Sequence, residues 1–155
     1  KNSEFADNTI IAVTGDHSLR ELINYSKEDR FLCRSVPFYL YIPEKLKPKN
    51  IDTSVMGSHM DIMPTLYNLS LYDTEYFSFG NDLINTPDNI AMNLDGLVMQ
   101  KDKAIKYNFP DHQIYSFIFD RQTKKLIRTK ETQEHKNLEK YYKALISLCD
   151  IFVKS

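Results

Sequence analysis

Asp16 and His17 stand side by side, one residue past the apolar, β-branched run Asn8-Thr-Ile-Ile-Ala-Val-Thr14. A carboxylate next to an imidazole suits a divalent cation such as Zn²⁺ or Mn²⁺. Adjacent side chains diverge on an extended strand, but in the turn just beyond it both can converge. Gly15 supplies the backbone freedom for that bend. The same dipeptide also serves as a metal-free loop cap, and the two residues alone leave both readings open. Ser18, Arg20, Arg30 and Arg34 lie near enough in sequence to reach a substrate anion, the arginines through their bidentate fork. Each of them also reads as an ordinary surface residue. His59, in Gly57-Ser-His-Met60, is a candidate third ligand or substrate contact, with a supporting structural place as the stronger reading.

The elements that must position these residues can be read from the pattern around them. The run ending at Thr14 predicts a strand buried on both faces, as in a parallel sheet, with the polar pair at its C-terminal end, where open α/β sheets bind ligands. A polar stretch from Leu19 to Arg34 predicts loop with some helix, and Val36-Pro-Phe-Tyr-Leu-Tyr-Ile42 a second strand with Pro37 near its start. Ser58 and Asp61 have the spacing of a capping box, so Asp61 is expected to cap an amphipathic helix through Leu66, Leu69 and Ser70. From Phe77 the grammar changes. The short runs Ile90–Leu94, Gly96–Gln100, Ala104–Tyr107, Ile114–Phe119 and Lys125–Arg128, parted by turn residues, predict an antiparallel meander. A 3.6-residue periodicity from Glu131 to Val153 predicts a final helix, capped by Thr129 or Thr132, with Tyr141, Tyr142 and Phe152 in its core. His112, in a turn, and His135, on a polar helix face, are expected to be solvated. The domain organisation that follows is an α/β core over residues 1–76 and an antiparallel subdomain plus helix over 77–155.

The chain has 155 residues, with 20 Lys plus Arg against 21 Asp plus Glu, a balance that gives no electrostatic footprint for nucleic acid. Its 42% hydrophobic content suffices for a real core. No apolar run is long enough to span a bilayer, and no signal segment opens the sequence. The chain begins at Lys1 and meets a strand almost at once, so it is expected to be a piece with further sequence upstream. Cys33 and Cys149 match no metal or redox spacing and are expected as two thiols.

The order Thr14-Gly-Asp-His17, then Arg34-Ser-Val-Pro-Phe-Tyr-Leu-Tyr-Ile-Pro43, then Asp61-Ile-Met-Pro-Thr-Leu66 resembles the C-terminal half of the sulfatase and alkaline phosphatase superfamily. Met63-Pro-Thr-Leu66 with Tyr76-Phe-Ser-Phe-Gly80-Asn-Asp82-Leu83 resembles its lipoteichoic acid synthase and phosphoglycerol transferase branch. The resemblance runs from Asn8 to about Leu83 and implies a fold: the C-terminal part of an alkaline phosphatase-like parallel sheet sandwich, followed by a small antiparallel sheet and a C-terminal helix. It also implies that Asp16 and His17 are late ligands of one divalent ion (Mn²⁺, Mg²⁺ or Zn²⁺), with the nucleophile, a Thr, and the other ligands upstream. The reaction implied is transfer of a phosphoglycerol group through a covalent intermediate, from a phospholipid or glycan-type substrate. A sulfatase is the alternative within the superfamily, and a non-catalytic binding module that keeps the fold is the alternative outside enzymes. Arg34 resembles the residue found in the one-metal branch, where two-metal members place a His. The location implied is the cell envelope, in an extracytoplasmic domain anchored by upstream membrane helices.

Overall fold

A computed structural model describes residues 4–18, 26, 29–71, 73–93 and 95–154. Arg20 therefore lies outside the described residues, as do Leu22, Tyr25 and Leu94, and the side chain of Arg30 is likewise not described. The elements are β1 (Ile11–Thr14), α1 (Arg30–Arg34), β2 (Phe38–Tyr41), α2 (Ile62–Ser70), β3 (Ala91–Met92), β4 (Leu97–Gln100), β5 (Lys103–Asn108), β6 (Gln113–Asp120), β7 (Lys125–Arg128) and α3 (Gln133–Lys154). Among the described residues the strands form two sheets, the pair β1-β2 and the meander β3-β4-β5-β6-β7. The α/β class holds, with the antiparallel sheet and final helix where the sequence predicts them.

One expectation is corrected. Among the described residues β1 has no parallel partner: it runs antiparallel to β2, with Ile11 opposite Tyr41 and Thr14 opposite Phe38. An apolar, β-branched run reports strand propensity but carries no information about direction. Direction is read from which strand ends meet. Gly15 and Val36 meet at the same end of the pair, a Cβ on Gly15 standing 3.4 Å from Val36 Cγ1, as an antiparallel partner requires; a parallel partner would begin at the opposite end. Nor is β1 buried, since all four of its residues are exposed.

The meander carries the core. β4 and β5 are buried on both faces, which is why Leu97-Val-Met99 reads as an unbroken apolar run. Leu97, Met99, Ala104, Phe119 and Leu126 pack on one face with Phe31 and Met56. Val98 and Ile105 pack on the other against Leu138 and Tyr142 of α3. The Phe31 and Phe119 rings lie 4.3 Å apart, so α1 docks directly onto the meander. Gly96, at φ +74, makes the β3–β4 turn in the left-handed region. In the β6–β7 turn the Thr123 hydroxyl, with the amides of Gln122 and Thr123, holds the Asp120 carboxyl below its ordinary range.

Two details of α3 differ from expectation. His135 is buried, not solvated: Nε2 donates to the Phe117 carbonyl at 3.0 Å, and Nδ1 accepts the Thr132 amide at 3.1 Å. Helical periodicity placed it on a polar face, but at this position that face meets the Phe117 carbonyl of β6. Phe152 is half exposed and stacks beside Phe77 and Phe79 rather than entering the core. Tyr142 is buried as expected and Tyr141 partly so.

Candidate active site

Asp16 and His17 lie in the turn that follows β1, and their side chains converge. His17 Nε2 is 3.6 Å from Asp16 Oδ2, too long for a hydrogen bond between them. Donors bound at about 2.0–2.2 Å to one tetrahedral ion stand roughly 3.3–3.6 Å apart, so the spacing fits two ligands of a shared cation. The local bonding fits as well. Asp16 Oδ1 accepts the His17 amide at 2.9 Å, which fixes the carboxylate and leaves Oδ2 outward. His17 Nδ1 lies 3.1 Å from the Ser18 carbonyl, to which it can only donate, so in the neutral ring the lone pair is on Nε2. Both side chains are exposed. Among the described residues no group of three or more His, Cys, Asp or Glu side chains gathers around them.

The bend after β1 does not draw on the left-handed backbone that glycine allows. Among the described glycines only Gly96 has positive φ, and a Cβ at Gly15 would make ordinary contacts with Val36. The turn is held instead by its neighbours. Ser18 Oγ donates to the Cys33 carbonyl in α1. His59 Nε2 lies 2.8 Å from the Gly15 carbonyl and therefore donates to it. That nitrogen offers no lone pair, so in this arrangement it is not a ligand.

Behind His59 is a polar network whose parts are far apart in sequence. Ser58 donates its amide to Asp61 Oδ2 at 2.7 Å, as the capping box requires, and its hydroxyl donates to the same oxygen at 2.9 Å. Asp61 is buried, and its carboxylate also accepts the Asn81 amide at 2.9 Å and the Asn89 side chain at 3.2 Å. Thr65 Oγ1 donates to the Asp61 carbonyl and accepts the Leu83 amide. Gly80 passes so close that an added Cβ would fall 2.0 Å from the Met60 carbonyl oxygen. Asp82, also buried, collects Asn68, Asn85 and the Ile84 amide. Sequence reasoning assigned Asp61 its cap but missed Asn81, Asn89 and Gly80; the Gly80-Asn-Asp82 motif was the available signal.

Arg34 turns its guanidinium to Asp95 in the β3–β4 turn, through Nε, while its Nη1 is buried without a hydrogen bond. Of the sequence-predicted site residues, Asp16, His17, Ser18 and His59 are thus brought to one turn, and Arg34 joins that region to the meander.

No protein-family model matches the sequence, and no curated protein matches it. A crystal structure of the lipoteichoic acid synthase LtaP from Listeria monocytogenes superposes on 97% of this chain with a TM-score of 0.72, at 17% sequence identity. The chain spans 40% of the length of that structure. Over that span, this chain has the fold of a lipoteichoic acid synthase.

Proposed function

We propose that this chain is the Asp16–His17 half of a metal-dependent transferase that moves a phosphoglycerol or similar phosphoryl group. The observation that supports the reading best is the convergent pair at 3.6 Å, with His17 held in the ligand tautomer. The fold shared with a lipoteichoic acid synthase supports the reaction class. Asp16 Oδ2 and His17 Nε2 would hold one divalent ion, Mn²⁺, Mg²⁺ or Zn²⁺. Bound there, such an ion activates a hydroxyl nucleophile and stabilises charge on the phosphoryl oxygens. The chain's own contribution is orientation. The Asp16 carboxylate is fixed by the His17 amide and the imidazole by the Ser18 carbonyl, so neither donor must be ordered when the ion enters. The nucleophile, a Thr, and the remaining ligands belong to the share of the protein outside this chain. The substrate is a phospholipid or glycan-type phosphodiester, and the place of action is the cell envelope, outside the cytoplasm. Among the described residues no helix is long and apolar enough to cross a membrane, so an anchor would come from segments outside this chain.

The test is turnover of phosphatidylglycerol by the full-length protein, read as diacylglycerol release. Asp16→Ala and His17→Ala each bring it down by more than about 100-fold, beyond the usual loss for a residue that only supports a ligand. Undiminished release in both variants would overturn the assignment. Cleavage of nitrophenyl sulfate in preference to the phosphodiester would replace the transferase by a sulfatase.

A further inference from the structure

We infer that His59 is a positioning residue for the Asp16–His17 pair, acting through the Gly15 carbonyl; the inference rests on the metal reading above. The peptide joining Gly15 to Asp16 is planar, so its carbonyl oxygen and the Asp16 Cα move as one rigid unit. A hydrogen bond to that oxygen therefore sets the direction in which the chain enters Asp16. The bond is 2.8 Å long and spans 44 residues of sequence. It ties the short helical turn that leads into α2 to the turn after β1.

The other end of the contact is well fixed. His59 opens the short helical turn His59–Asp61, directly between Ser58 and the buried Asp61. Ser58 is bonded twice to the Asp61 carboxylate, and that carboxylate is held by Asn81 and Asn89 from beyond Gly80. The network thus holds the backbone that carries His59, and His59 carries that order to the turn. His59 itself is exposed and absent from both hydrophobic clusters, so packing does not account for its place. What the position requires is one N–H at the reach of Nε2. A glutamine amide reaches about as far as a histidine Nε2, whereas an asparagine amide stops near Nδ1 and a leucine has no donor.

The experiment measures Mn²⁺ binding by calorimetry and the electron paramagnetic resonance spectrum of the bound ion. It uses the full-length protein and its Asp16→Ala, His59→Leu, His59→Asn and His59→Gln variants. Expected are loss of binding in D16A and affinity weakened about 10–100-fold in H59L and H59N, the range seen when a ligand's supporting partner is removed. H59Q keeps most of the affinity and the wild-type spectrum. Wild-type affinity in H59L, with D16A defective, overturns the inference alone. If H59L fails to fold, equal affinities in H59Q and H59N overturn it. Wild-type affinity in D16A overturns the metal reading, and the inference with it.

Discussion

Gly80 shows how much a single residue settles here. Its missing Cβ would lie 2.0 Å from the Met60 carbonyl oxygen and 2.7 Å from the Asp61 amide, both backbone atoms that cannot swing away. Gly80→Ala must therefore push two chain segments apart, which costs about 1–3 kcal/mol, the range for overpacking. Urea unfolding of the full-length protein checks this, and the same substitution at Gly15, where a Cβ meets only ordinary contacts, should cost far less. At this scale the sequence was partly legible. The convergence of Asp16 and His17 in one turn and the pairing of Ser58 with Asp61 could both be read in advance, because those patterns are local. The partners of Asp61 that lie 20 and 28 residues away have no spacing rule and became visible only in the fold.

Among the elements, α3 has the most legible helix and the least expected anchor. Its periodicity gave its extent to within two residues at the start, and Thr132 does precede it. The residue that answers Thr132 is His135, standing three residues on where a capping box has Glu or Gln. Its other nitrogen ties the helix to β6 through Phe117. His135→Ala would leave the Phe117 carbonyl and the Thr132 amide without these partners beside a buried site. About 2–4 kcal/mol of stability should be lost, combining a cap with a buried hydrogen bond. Denaturant unfolding measures it, and a loss below about 0.5 kcal/mol would show that the amide and carbonyl find water instead. Strand direction was the illegible part at this scale. β1 and β2 were found as strands, but their pairing depends on where the loop between them returns, which hydropathy does not encode.

For the whole molecule, the meander and the α2 region are joined by polar as much as apolar contacts. Arg34 reaches Asp95, Asn89 reaches Asp61 and Met56, and Arg121 reaches the Ser54 carbonyl. The hydrophobic pattern located the core in β4, β5 and α3 but could not reveal this stitching. The two-stranded sheet is built otherwise. Ile11, Val13, Tyr39 and Tyr41 all stand in solvent, and β1 and β2 each keep one backbone edge without a neighbouring strand among the described residues. An exposed apolar ribbon with open edges is a template for sticking to copies of itself. A sample of the 155 residues alone should therefore scatter light increasingly with concentration, and Val13→Lys, which places a charge on the ribbon, should suppress that self-association. Clear solutions of the unmodified chain at all concentrations would show that the ribbon is shielded. For anyone producing this polypeptide, solubility would then be governed by four residues next to the candidate site rather than by the stability of its core.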